Sequence, residues 1–140
     1  MTGCAAPDDD AEKLEVTNKM ITAWNTLDWD TVFDLFAEDG ILHSMTSEPI
    51  VGRENIRSRL QFLADGIDQI ELKIENMGVI NDVVFIERAD IGTFNGRPFS
   101  IPVVGVLEIE NGKVQVWREY YDKATLVRAI TPEPQATSGD

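Results

Sequence analysis

The chain has one cysteine, one histidine and few basic residues, and each shortage closes off a class of function. With Cys4 alone no intrachain disulfide can form, which fits a reducing compartment. No basic n-region followed by an apolar h-region precedes Cys4, and no apolar run is long enough to span a bilayer. A membrane-inserted or lipid-anchored protein is therefore not expected, and the cytoplasm is the default location. His43, without a cysteine or carboxylate cluster at ligand spacing, gives no metal signature. Lys and Arg number 12 against 25 Asp and Glu, a formal charge of −13. Nucleic acid and acidic membrane surfaces are poor partners for such a chain, because affinity for polyanions comes largely from phosphate neutralisation.

What is present is enough for one domain: 140 residues, 43% of them hydrophobic, can bury a real core. Residues 1–10 and 131–140 lack apolar periodicity and read as disordered tails around a single domain over 11–130. From Glu12 to Leu27, the residues Leu14, Thr17, Ile21 and Trp24 recur at spacings of three and four, which predicts an amphipathic helix with Ile21 and Trp24 on the core. Asp28 is placed to cap a second, short helix carrying Val32, Phe33, Leu35 and Phe36, ended by Asp39-Gly40. A third helix is expected over Glu54–Ala64. Strand signals occupy Ile41–Met45 and most of the chain after Asp68.

Two Asn-Gly pairs, Asn95-Gly96 and Asn111-Gly112, are flanked by runs rich in β-branched residues, a strong hairpin signal. A two-residue turn at Asn95-Gly96 sets Asp90 opposite Ile101 and Arg88 opposite Val103. A three-residue Glu110-Asn111-Gly112 loop with a glycine bulge sets Glu119 beside Val103, with flanking rows Asp90, Ile101, Tyr121 and Ile86, Gly105, Trp117. Residues two apart on a strand share a face, so this wall carries Arg88, Asp90 and Glu119 on an otherwise apolar surface. An arginine and two carboxylates are expensive to desolvate unless they meet each other or a polar ligand, which makes the three a candidate active site. Such an array can hold its carboxylates in different protonation states, one acting as base and the other as acid. The opposite face, with Phe85, Val106 and Val116 beside Glu87, Val104 and Arg118, is too apolar for open solvent. A second copy of the chain is the expected cover.

The segments Phe36-Ala37-Glu38-Asp39, Gly52-Arg53, Glu87-Arg88-Ala89-Asp90, Gly105-Val106 and Trp117-Arg118-Glu119-Tyr120-Tyr121-Asp122 resemble the limonene-1,2-epoxide hydrolase family in order and spacing, over roughly residues 12–130. The resemblance implies an α+β fold, a cone-shaped curved mixed sheet packed with three to four helices around a deep pocket, of the nuclear transport factor 2-like, cystatin-like type and usually dimeric. It also implies cofactor-independent, metal-free hydrolysis of an epoxide to a vicinal diol by one-step attack of water, with Glu119 as base, Asp90 as acid and Arg88 bridging them. The family usually has aspartate at the position of Glu119, and a tyrosine and an asparagine at the positions of Leu42 and Ser44. Trp117 resembles the family's pocket tryptophan. Ile21, Trp24, Leu63, Ile67, Leu72, Ile101, Val103 and Tyr121 are the other implied pocket residues, a lining suited to a lipophilic substrate.

Two other readings stand beside this one. An isomerase, cyclase or dehydratase of the same fold would act without incorporating solvent oxygen, and a non-catalytic protein would bind lipophilic ligands and turn over nothing. His43 alternates away from Leu42 and Ser44 and is not expected at the site.

Overall fold

The computed structural model describes residues 7–132. The elements run α1 (Pro7–Asn25), α2 (Trp29–Asp34), β1 (Phe36–Ser44), β2 (Ile50–Val51), α3 (Arg53–Gly66), β3 (Ile67–Ile80), β4 (Val83–Phe94), β5 (Arg97–Glu110), β6 (Lys113–Tyr120) and α4 (Lys123–Ile130). The strands form one sheet in the order β2-β1-β6-β5-β4-β3, with β1 and β6 parallel and the other neighbours antiparallel. This is the expected α+β architecture, a curved mixed sheet with four helices. Among the described residues no helix is long and apolar enough to cross a membrane.

Local chemistry sets the ends of the helices. The long helix α1 takes in Pro7–Asp10, which the sequence assigns to a tail, and residues 1–6 and 133–140 of the two expected tails lie outside the described residues. Its buried line is Val16, Thr17, Met20, Ile21 and Ala23. Asp28 caps α2, accepting from Thr31 N at 3.3 Å and Thr31 Oγ1 at 2.7 Å. The second helix is shorter than its apolar pattern suggests: it ends at Asp34, and Phe36 opens β1. The reason is a competing partner, because Val114 N donates to Leu35 O at 2.7 Å and the sheet claims the chain there. Asp39-Gly40 then marks an irregularity in the β1–β6 pairing between Phe36 and Ile41 instead of a helix stop. The C-terminal helix α4, the fourth that the resemblance allows, was not located from the residues. Its signals are Asp122, which accepts from Ala124 N and Thr125 Oγ1, and the helical spacing of Leu126, Ala129 and Ile130.

The first hairpin has the expected register, with Phe94 opposite Arg97, Asp90 opposite Ile101 and Arg88 opposite Val103. The second does not. Asn111 and Gly112 both have positive φ, 54° and 73°, and close a two-residue turn with Glu110 opposite Lys113. Positive φ at both central positions matches the twist of the flanking strands, so the extra residue is not needed in the loop. It sits in β6, where the pairs Ile109–Val114 and Glu108–Val116 leave Gln115 without an opposite residue. The bulge keeps Glu119 on the face of Arg88 but slides it along the strand. Glu119 lies opposite Gly105 and Trp117 opposite Leu107, so the expected rows through Val103 and Gly105 are corrected.

The inner sheet face packs Val84, Ile86, Leu107, Val114 and Trp117 with Val32, Phe33 and Ile56 of the helices, all 3% exposed or less. The outer face leaves Phe85, Ile91, Val104 and Tyr120 between 37% and 45% exposed. Sheet packing is tight beside Asp90: a Cβ built on Gly92 would overlap the carbonyl oxygen of Gln69 on β3. Gly92→Ala must push the two strands apart, and a loss of about 1–3 kcal/mol in urea unfolding is expected; an unchanged midpoint would show that the strands do not approach so closely.

Candidate active site

Alternation on β4 points Ile86, Arg88 and Asp90 inward, and alternation on β6 does the same for Trp117 and Glu119. The side chain of Arg88 is 2% exposed, those of Asp90 and Glu119 18% and 15%. Arg88 uses two edges of its fork. Nε donates to Asp90 Oδ1 at 2.7 Å and Nη2 to Asp90 Oδ2 at 3.1 Å. Nη2 also donates to Glu119 Oε1 at 2.6 Å, and Nη1 to Glu119 Oε2 at 3.1 Å. The planar guanidinium thus holds both carboxylates in fixed orientation, a geometry that lysine cannot reproduce.

Gly105 makes this possible, and its role was not read from the sequence. It lies between Ile86 and Glu119 in the sheet, and a Cβ there would stand 2.7 Å from Arg88 Nη1 and 2.8 Å from Glu119 Oε2. The empty space above the glycine is where arginine and glutamate meet. Trp117 adds a bond, donating from Nε1 to Glu119 Oε2 at 2.6 Å.

The charges respond to burial. Desolvation alone would lower Arg88, but Glu119 and Asp90 outweigh it and raise the guanidinium above its ordinary range, so it stays cationic. Burial pushes the Glu119 carboxyl above its usual 4.5, opposed by Arg88 and the Trp117 N–H and reinforced by the charge of Asp90. With one cation and two carboxylates, the cluster carries an excess negative charge until it binds one proton.

The cluster forms the polar end of a largely apolar pocket that opens to solvent. Of the expected residues, Trp24, Leu42, Ser44, Leu63, Ile67, Leu72, Ile101, Val103, Trp117 and Tyr121 all line it with Arg88, Asp90 and Glu119. Ile21 does not. It is 8% exposed in the core cluster, and only Trp24 of α1 reaches the cavity wall. The sequence reading missed Phe36, Leu60, Ile70, Phe94, Phe99 and the α4 residues Leu126, Ala129 and Ile130. Arg97 Nη2 holds α4 in place through the carbonyls of Arg128 and Ala129, at 3.0 and 2.7 Å. Ser44 pairs with Glu119 across the parallel β1–β6 ladder and Leu42 with Trp117, which sets the serine beside the carboxylate. His43 bonds to Ser47 O at 2.9 Å and is not part of the lining. Among the described residues no three His, Cys, Asp or Glu side chains gather as a metal-ligand set.

The family model described as the limonene-1,2-epoxide hydrolase catalytic domain matches residues 11–132. Among curated proteins, the epoxide hydrolase EphG of Mycobacterium tuberculosis is 24% identical over 110 residues, covering 79% of this chain and 73% of the relative. The solved structure of an M. tuberculosis epoxide hydrolase similar to the limonene enzyme superposes with a TM-score of 0.75 at 22% identity, covering 87% of this chain and 91% of that one. A SnoaL-like protein of the polyketide cyclase type from Jannaschia sp. CCS1 superposes with a TM-score of 0.78 at 17% identity, covering 94% and 100%. At these identities the solved structures speak for the fold, which is the expected nuclear transport factor 2-like one.

Two outcomes follow from the cluster's geometry and charge. Gly105→Ala drives a methyl group between Arg88 and Glu119, and a loss of about 2–3 kcal/mol in urea unfolding is expected, where a neutral result would deny the close approach. Glu119 has a raised carboxyl in the folded state, so its contribution to stability is complete below about pH 4.5 and is lost as pH rises through the folded value. The stability of the native protein minus that of Glu119→Gln should therefore fall as pH climbs above 4.5, measured by urea unfolding at several pH values.

Proposed function

Because the chain belongs to the limonene-1,2-epoxide hydrolase family, we propose that it hydrolyses an epoxide on a lipophilic small molecule to a vicinal diol, with Glu119 as base, Asp90 as acid and Arg88 bridging them. The observation that carries this reading is the shared clamp: one buried guanidinium holds two carboxylates at the end of a pocket whose other walls are almost wholly apolar. A hydrocarbon body fits those walls. An ionised substrate does not, since anions meet a chain of charge −13 and cations find no acidic group in the lining beyond Asp90 and Glu119, which Arg88 already holds.

In the proposed step Glu119 accepts a proton from water as the water oxygen bonds to one epoxide carbon. The C–O bond on that carbon breaks, and Asp90 gives its proton to the departing oxygen. Both hydroxyls of the diol are then accounted for, and no metal or organic cofactor enters. The proton count of the two carboxylates is one before and one after, so the cluster's net charge does not change during the reaction. In a low-dielectric pocket this matters, because a change of buried charge costs far more there than in water. A base raised by burial toward the working pH is also a stronger proton acceptor. Ser44, beside Glu119, offers a second hydrogen-bonding group to the attacking water.

The exposed outer sheet face supports a further part of the reading, a homodimer in which a second copy covers Phe85, Ile91, Val104 and Tyr120. Sedimentation at micromolar concentration should give twice the chain mass, and a monomer at that concentration would count against it.

Apolar epoxides incubated in ¹⁸O-labelled water should give diols carrying one labelled oxygen. Glu119→Gln and Asp90→Asn should each lower the rate about 10²- to 10⁴-fold, the usual weight of general acid or base catalysis, with substrate binding retained. Conversion without solvent oxygen would favour an isomerase or cyclase, and binding without turnover in any variant would favour a ligand-binding protein. With Glu119 as base, kcat/KM should fall on acidification with a midpoint above 4.5, the side to which burial moves that carboxyl.

A further inference from the structure

Glu119 is a long side chain for a base, and three rotatable bonds separate its carboxylate from the strand. Arg88 restrains it from one side. The restraint from the other side comes from Trp117, two residues back on the same face of β6. The indole Nε1 donates to Glu119 Oε2 at 2.6 Å, and Arg88 Nη1 donates to the same oxygen at 3.1 Å. Oε1 accepts from Arg88 Nη2 alone, at 2.6 Å. A carboxylate oxygen has two lone pairs, so the protein fills both on Oε2 and leaves one on Oε1.

We propose that Trp117 is a positioning residue for Glu119, whose indole N–H closes Oε2 and leaves Oε1 as the atom that meets the attacking water. The inference rests on the reading of Glu119 as base and says which of its oxygens acts. The indole is itself closely packed. Trp117 is 3% exposed, stacks on Phe36 with centroids 6.1 Å apart and planes at 24°, and meets the edge of Trp24 at 6.3 Å. Gly105 leaves the indole room as well, since a Cβ there would stand 3.2 Å from Nε1. A tryptophan that only lined the pocket would need no such alignment. Arg88 half fills both carboxylate oxygens, and the indole N–H fills the second lone pair of Oε2 alone.

The test uses the full chain labelled with ¹⁵N at the tryptophan indoles and ¹³C at the glutamate carboxyls. In the native protein the Trp117 indole proton should resonate downfield of those of Trp24 and Trp29 and shift with pH at the midpoint of the Glu119 carboxyl. In Trp117→Phe that carboxyl midpoint should rise by about one pH unit, roughly a tenfold gain in proton affinity, because a donor to the charged form is lost. With an apolar epoxide as substrate, kcat should fall about tenfold and the acid limb of its pH profile should move up, while KM stays within about twofold. An indole signal that ignores the Glu119 titration overturns the proposal, and so does an unmoved carboxyl midpoint in Trp117→Phe. Should that variant not fold, the native indole titration decides alone. Neither resonance readout needs a substrate, so failure to convert any epoxide removes the hydrolase reading without touching the position of Trp117, and an inert indole in a working hydrolase does the reverse.

Discussion

A guanidinium at 2% side-chain exposure is the constraint on which the rest of this structure depends. A buried cation left alone would cost several kcal/mol, and Arg88 cannot shed its proton to escape that cost. It therefore requires acceptors on both edges, and the fold supplies them from two strands that are not neighbours. Asp90 comes from the same strand at no topological expense. Glu119 must come across β5, which is why β5 carries a glycine at the crossing point and why β6 holds a bulge that slides Glu119 opposite it. Without the glycine, Arg88 and Glu119 would share one face and be unable to touch; without the bulge, Glu119 would fall opposite Val104, on the other face of the sheet from Arg88.

Much of this was legible in the sequence for physical reasons. Strand alternation put Arg88 and Asp90 on one face, a bulge in the second hairpin was needed to bring Glu119 to it, and the Asn95-Gly96 turn fixed β4 against β5 residue by residue, because a two-residue turn with positive φ leaves no freedom of register. The second hairpin was harder. Asn111-Gly112 signals a turn, but nothing local to Gln115 announces that the extra residue is the third of the strand, so the row through Val103 was an incorrect but near neighbour of the true one. Phe36 was lost to the helix because its spacing from Val32 and Phe33 is helical, while the donor that draws it into the sheet, Val114, lies far along the chain. The helix α4 was readable from Asp122 and the spacing of Leu126, Ala129 and Ile130, and with it the outer wall of the pocket. Ile21 is in the core, where its helical spacing puts it, and only the resemblance carried it to the pocket: one turn before Trp24 on α1, it stops short of the cavity that the larger ring reaches.

The pocket separates two jobs. On the proposed reading its apolar walls hold the hydrocarbon body of the substrate, and its polar end presents Asp90 as proton donor and Glu119 as proton acceptor on a single cation. Catalysis of this kind depends on positioning and on electrostatic preorganisation, both of which the shared clamp provides before any substrate arrives. Leu42 sits beside Trp117 and Ser44 beside Glu119 on β1, so the early strand contributes one small hydroxyl to the polar end and otherwise extends the apolar wall. The glutamate is longer than the aspartate usual at its position in the family, and the indole bond to Oε2 limits the freedom that the extra methylene brings.

The most direct measurement is a crystal structure of Glu119→Gln with an intact apolar epoxide bound. The oxirane oxygen should lie within hydrogen-bond distance of Asp90, about 2.6–3.2 Å, with a water between the residue 119 side chain and the far face of the epoxide carbon. An epoxide seated in the pocket with its oxygen turned toward α4, away from Arg88 and both carboxyl positions, would contradict the assignment.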